Sequence, residues 1–365
     1  MSEPEHQPVA PGPAPGGAED PPPPNGRVGF LYVMIFLSLT CSMAAVYMLW
    51  ETRSRRTQMI GDGRDIDTYR FDLSGLTVSR ASLKASRMPR DSFEPINAPK
   101  VRDLAELRRL DEERPPGDYR REMVAKEVVV GVVVDGHARA YPLRILRWHE
   151  IVNDTLGDVP VAVTYDPLCD SIVVFDRRVG GETLSFGFSG LLHNSNLVLY
   201  DRRKQPVPHI ELTDEQRKQP TDESLWSQLR FEVVAGPLVE GKHELRVLPM
   251  WIGLWEQWIK QQPGTTVMRG EQASMPRYKR NPYIEYYQAK KLWFGTDPPL
   301  PTAPPEGIDY FEPILAFQTS DGWKWIPERL AGLATVPEGV PNVRCLWFAW
   351  YAVRGAGGRI PAPAG

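Results

Sequence analysis

The sequence predicts a β-rich α+β domain preceded by a single membrane-crossing helix, and three observations carry that prediction. An uncharged apolar run, VGFLYVMIFLSLTCSMAAVYMLW, occupies Val28 to Trp50. Beyond it the chain breaks into short β-branched and aromatic stretches separated by Gly, Pro, Asn and Asp. Two of these stretches echo each other. VVVDGHARAYPLRILR near 132 and AFQTSDGWKWIPERLAG near 316 both read as strand, Asp-Gly turn, strand, proline and short Leu-bearing helix. The echo predicts two related sheet units packed into one pseudo-symmetric domain.

Composition bounds the function classes. With 365 residues, 42% of them hydrophobic, the chain can build one large core or two modest ones. Its 36 prolines and 30 glycines imply many turns and few long helices. A formal net charge of -3 provides no broad basic field to attract polyanions, so no nucleic-acid partner is expected.

Residues 1–27, rich in Pro, Gly and acidic side chains, bury too little apolar surface to order the chain and are expected to be a disordered tail. Residues 28–50 are long enough for a transmembrane helix: at 1.5 Å per residue the run crosses roughly 30 Å of hydrocarbon while satisfying its own amides. Tyr32, Tyr47 and Trp50 stand near its ends, where amphipathic rings favour the interface. The expected partners are therefore the lipid bilayer and a membrane protein. Arg53, Arg55, Arg56 and Arg64 follow the span and only Arg27 precedes it, a bias that favours a cytoplasmic domain.

Residues 51–100 form a charged, turn-rich linker and lead-in, and residues 101–360 the soluble domain. A helix is expected over Val101–Leu110. Lys126 onward should be a hairpin closed by Asp135-Gly136, with Pro142 opening a helix LRILRWHEIVND. VAVTY is the next strand, and IVVFDR and TLSFGF are expected to pair as a hairpin across Gly180-Gly181. FEVVAG and ELRVLP read as strands, WIGLWEQWIKQQPG as one helix, residues 295–307 as a proline-rich loop and RCLWFAWYAV as a terminal strand.

The motifs of nucleotide, metalloprotease, calcium and serine-elbow sites are absent, and Ser189 in GFSGLL lacks one of the flanking glycines a nucleophile elbow needs. Polar and soft residues instead concentrate between Asp135 and Asp201. Asp166, Cys169 and Asp170 share a turn, His149 sits on the preceding helix, His137 in the hairpin and His193 in the following segment. Thiolate, imidazole and carboxylate together suit zinc or copper. The plainer reading is a small buried cysteine on a turn. Cys345, among Leu346, Trp347 and Phe348, reads as core filling, and a disulfide is open only between Cys169 and Cys345. Asp176 with Arg177, and Asp201 with Arg202, could pair to hold strand ends or contact a substrate. Glu150, Asn153 and Asp154 could cap the helix or face the turn.

Several ordered stretches carry a resemblance. ARAYPLRILRWHEIVND, PVAVTYDPLCDSIVVFDR, LSFGFSGLLHNSNLVLYDR, SLWSQ, AGPL, WEQWIKQQPGTTVM, NPYIEYY and WFAWYAV, from about 127 to 353, are similar to the bacterial and archaeal proteins grouped as domain of unknown function 3179. Members are described as exported or membrane-associated, which implies an extracytoplasmic domain despite the arginines. The family's Thr-Tyr-Cys-Pro-Leu-Cys motif implies a soft-metal site or dithiol. Here Asp166 stands at the first cysteine position and Cys169 at the second, so no dithiol can form within the turn. A metal centre tolerates that exchange better than a redox pair, and Cys169, His193, His149 and Asp166 are the expected donors to copper or zinc. The alternative is a non-catalytic scaffold or accessory subunit of a membrane complex.

Overall fold

The computed structural model describes residues 26–58, 60–115, 121–202, 215, 219–271, 274–331 and 339–360, with side-chain environments undescribed at 26–29, 49–59 and 275. Most of the proline-rich tail lies outside the described residues. Two units are distinguished, Met1–Thr57 and Gln58–Gly365.

The first unit holds α1 (Gly26–Gln58), which starts before and ends well beyond the apolar run. Its Phe30–Met48 segment has mean hydropathy 1.9 and no buried side chain, so it is long and apolar enough to cross a membrane.

The second unit begins with β1 (Leu83–Ala85), β2 (Ile96–Asn97), β3 (Val101–Asp103) and α2 (Leu104–Glu112). The expected helix over 101–110 thus loses its first turn to β3, and Asp103 caps α2 by accepting a hydrogen bond from the Glu106 amide at 2.7 Å. The expected hairpin forms as β4 (Val128–Val134) and β5 (His137–Pro142). Asp135 and Gly136 both have positive φ, the conformation a two-residue turn between twisted strands requires.

Next come α3 (Leu143–His149), β6 (Ile151–Leu156), β7 (Val159–Asp166), β8 (Ser171–Asp176), β9 (Arg178–Val179), β10 (Glu182–Thr183), β11 (Phe186–His193) and β12 (Asn196–Asp201). The expected helix through IVND stops at His149, because Ile151 and Val152 enter a ladder with β7 and bury completely. The expected IVVFDR–TLSFGF hairpin does not form. Gly180-Gly181 closes only the two-residue ribbon of β9 and β10, and β11 joins a different sheet from β8.

The chain continues through β13 (Leu225–Ser227), β14 (Glu232–Ala235), β15 (Trp251–Leu254), α4 (Trp255–Gln261), β16 (Thr266–Met268), α5 (Met275–Tyr278) and α6 (Ile284–Ala289). It ends with β17 (Pro313–Thr319), β18 (Gly322–Pro327), α7 (Glu328–Ala331), β19 (Asn342–Leu346) and α8 (Trp347–Arg354). Three expectations are corrected here. ELRVLP contributes only isolated bridges, WIGL is a strand before its helix, and WFAWYAV is helical. Its aromatic residues suggest a strand, but Trp347, Phe348 and Trp350 bury together on the wide inner side of α8. Residues 295–307 form the expected loop.

Three large sheets stack. The central sheet has order β18-β17-β19-β8-β7-β6-β2, and its neighbours have orders β1-β11-β12-β13-β14 and β15-β4-β5-β16-β3. Strands β7 and β8 are buried along their whole length because both their faces are covered. Ala162, Val173 and Phe175 pack with Phe186, Leu197 and Trp226 of one neighbour. Val161, Val163, Ile172 and Val174 pack with Val130, Val132 and Tyr141 of the other. Each large apolar side chain so enclosed contributes about 1.5–3 kcal/mol. The outer faces are covered in turn by Tyr69 and Phe71 on one side and by Trp255 and Trp258 on the other.

The echo in the sequence corresponds to two similarly patterned sheet units. Val129 pairs with Pro142 and Val134 with His137; Ile314 pairs with Pro327 and Thr319 with Gly322. One residue earlier, Val128 pairs with Leu254 and Pro313 with Leu346, and each leucine is followed by a tryptophan that starts a helix. Three strands and two helices therefore recur in the same register.

Candidate functional site

The turn between β7 and β8 is held from several sides. Asp166 Oδ1 accepts a hydrogen bond from the Leu168 amide at 2.8 Å, and Oδ2 accepts from the Leu197 amide at 2.9 Å and Asn196 Nδ2 at 3.0 Å. Asn196 Nδ2 also faces Ser171 Oγ at 3.0 Å and Gln228 Oε1 at 2.8 Å, while Gln228 Nε2 donates to Thr164 Oγ1 at 2.9 Å. This buried network links the central sheet to the β11–β14 sheet and fixes their alignment. Arg344 pairs with Asp170 on one side and with Glu328 at 2.9 Å on the other, which fastens the turn to β19.

Cys169 has no exposed surface. Its thiol donates to the Ser195 carbonyl at 3.3 Å and also meets the Asp166 carboxyl. Burial first, then the nearby acid, pushes the thiol pKa well above its ordinary value, which disfavours the thiolate. Burial likewise raises Asp166 to about 6, against the hydrogen bonds from Leu168 and Leu197 that favour its charged form. Cys345 is equally buried, and both thiols are free. Their chain segments touch where the Leu346 amide donates to the Cys169 carbonyl at 2.8 Å.

The two histidines lie elsewhere. His193 Nδ1 is 3.1 Å from Ser227 Oγ, and burial with the nearby Arg230 charge lowers its pKa to about 4. His149 faces the Glu94 carbonyl through Nδ1 at 2.7 Å and the Tyr278 hydroxyl through Nε2 at 2.8 Å. Asp166 and Cys169 are brought together; His149 and His193 make their ring contacts with other groups. Among the described residues no group of three or more His, Cys, Asp and Glu is placed to hold a metal ion.

Glu150 does both things its position allows: its amide caps the helix by donating to the Leu146 carbonyl at 2.7 Å, and its carboxyl lies near the Asp166 of the turn. It is the left-handed residue that ends α3, at φ 58, and it is buried. Burial, then the Asp166 charge, pushes its carboxyl well above the ordinary range. Tyr283, Tyr286 and Tyr287 of the NPYIEYY stretch complete the surroundings. Burial and the acidic neighbours raise all three hydroxyls, and Tyr287 donates to the Pro167 carbonyl. Asn196, Gln228 and these tyrosines were not singled out as site residues. The signal available was that each belongs to a stretch shared with the resembled family.

The remaining candidates are structural. Ser189 is buried, with its hydroxyl donating to the Val198 carbonyl and accepting from the Leu191 amide. Asp176 pairs with Arg178 and Arg246, each at 2.6 Å, rather than with Arg177. Asp201 accepts from the Ser224 amide and Trp226 Nε1, and Arg202 pairs with Asp91.

These features define a layered, β-rich α+β domain centred on an acid and thiol turn fixed by its own hydrogen bonds. The family profile described as Protein of unknown function (DUF3179) matches residues 95–207 and 219–308, and the chain belongs to that family. No curated protein and no solved structure matches the chain.

Proposed function

We propose that this chain is a membrane-anchored, non-catalytic scaffold or accessory subunit of a membrane-associated complex. The supporting observation is that the Asp166 carboxyl and Cys169 thiol are spent on internal hydrogen bonds to Leu168, Leu197, Asn196 and Ser195. A group fully engaged in its own fold contributes rigidity rather than a free nucleophile or ligand. In this reading α1 crosses the bilayer once and holds the domain on the extracytoplasmic side, and the two register-matched units are related copies in a pseudo-symmetric core. Purification of the full chain from detergent extracts should yield a stable complex with a membrane protein and no stoichiometric metal. A monomer carrying stoichiometric metal would overturn it. Protease accessibility in intact cells reads the orientation.

A second reading retains copper or zinc, favoured by one observation: the buried Glu150 carboxyl makes no hydrogen bond among the described residues and lies near Asp166. The arrangement falls short of three converged donors. Metal binding would require the turn to open, with Cys169, Asp166 and either Glu150 or the displaced histidines as donors. Metal analysis of anaerobically purified protein beside Cys169→Ala tests it, and absence of metal from both ends it.

A further inference from the structure

A second polar site lies away from the turn, where the ends of β2 and β6 meet the segment between β8 and β11. A cavity of about 450 Å³ opens there, lined by Asn97, Asn153, Asp154, Thr155, Arg177 and Ser185 among others. It lies within the size range of small-molecule sites. Asn153, Asp154 and Arg177 are each more than nine-tenths buried.

Arg177 is the unusual member. Its Nε donates to the Val161 carbonyl at 3.1 Å, Nη2 to the Asp154 carbonyl at 3.0 Å, and Nη1 to the Leu184 carbonyl and, at 3.4 Å, to Ser185 Oγ. Of the five guanidinium N–H donors, one on Nη2 remains. All these partners are neutral, and Arg177 makes no ion pair among the described residues. The nearby acids are already paired. Asp154 Oδ2 accepts from Arg139 Nη1 at 2.5 Å and the Tyr141 hydroxyl at 2.7 Å, and Asp176 is shared by Arg178 and Arg246. The two carboxylates thus pair with three guanidinium groups, and the fourth, Arg177 in the cavity wall, has no direct ion pair among the described residues. A buried cation in that position is costly unless an anion joins it.

The other wall groups are suited to complete such a site. Asn97 Oδ1 accepts from Asn153 Nδ2 at 2.9 Å, which turns the Asn97 amide so that its own NH₂ is uncommitted. The hydroxyls of Ser185 and Thr155 add donors. Oriented donors beside a guanidinium that no carboxylate contacts directly suit a charged oxygen acceptor such as a carboxylate.

We propose that this cavity binds a small organic carboxylate, its oxygens taking hydrogen bonds from Arg177, Asn97 and Ser185. The inference is independent of the scaffold reading, since a scaffold or a metal protein could equally carry it. The test uses the full chain in detergent, titrated by calorimetry with acetate, lactate and succinate beside inorganic phosphate. Saturable binding of a carboxylate is expected, about tenfold weaker in Asn97→Ala and in Ser185→Ala, both of which leave the main-chain ties of Arg177 intact. Arg177→Lys keeps the charge and should weaken binding further, with thermal unfolding confirming that it folds. No saturable carboxylate binding, phosphate binding as tightly as carboxylate, or binding unchanged in Asn97→Ala and Ser185→Ala would overturn the proposal.

Discussion

The Asp166 carboxylate accepts a hydrogen bond from the Leu197 amide at 2.9 Å, so a residue closing β7 of the central sheet holds the start of β12 in the neighbouring sheet. Because burial raises Asp166 to about 6, its proton is bound more tightly in the folded than in the unfolded chain. Its contribution to stability is fully present below about pH 4 and is lost as pH rises through 6, a difference of about 3 kcal/mol. Denaturant unfolding of the full chain in detergent should show that Asp166→Asn, unlike the parent chain, loses stability as pH falls from 6 to 4, because the opposing His193 contribution is no longer offset. An unchanged pH slope in the variant would contradict the assignment.

His193 acts with opposite sign. Its folded pKa of about 4 lies below the ordinary 6.5, so the unfolded chain gains a proton first as pH falls. The stability this neutral imidazole contributes is present above pH 6.5 and is lost as pH falls toward 4, again about 3 kcal/mol. Between pH 4 and 6 the two residues nearly cancel. His193→Gln should therefore uncover the Asp166 slope, with the variant gaining stability toward acid, and a variant that still loses stability there would count against it.

Cys169 and Cys345 should resist alkylation in the native protein. Both are wholly enclosed, and burial raises both thiols, so little thiolate exists and none is reachable. Mass spectrometry after iodoacetamide at neutral pH should find both unmodified until denaturant is added. Rapid native labelling of Cys169 would show that the turn opens.

Gly131→Ala should destabilise the fold by about 1–3 kcal/mol, because a β-carbon there overlaps the buried Trp258 ring. In the matching unit the register-equivalent position is Ala316, paired with Trp325 as Gly131 is paired with Ala140. Trp258→Leu in the Gly131→Ala background should recover part of the loss. A neutral Gly131→Ala, read by chemical denaturation, would refute the overlap.

Local turn chemistry made much of the fold legible. Asp135-Gly136, Asp321-Gly322 and the prolines at 142 and 327 announced two hairpins whose registers agree residue for residue. Where reading failed, tertiary burial decided. WFAWYAV has strand-forming residues but folds as a helix that buries its tryptophans, and the FGF of TLSFGF pairs forward with β12, the next strand, rather than back with β8. The site was half legible. Crowding in sequence identified Asp166 and Cys169 as neighbours, whereas ring orientation, which sent His149 toward Tyr278 and His193 toward Ser227, depends on distant chain segments. The sequence marks Arg177 by its charge, but its lack of a carboxylate ion pair among the described residues depends on where Arg178 and Arg246 fall.

The matched registers also bear on the order of assembly. The C-terminal ladder joins Pro313 to Leu346, and the N-terminal one joins Val128 to Leu254 with the whole of β6 to β14 in between. Loop length alone separates the two closures by only about 1 kcal/mol. The larger asymmetry is kinetic, since long-range pairings form late. By that measure the C-terminal unit is the more local of the two, and the N-terminal unit is the one whose closure encloses the intervening strands.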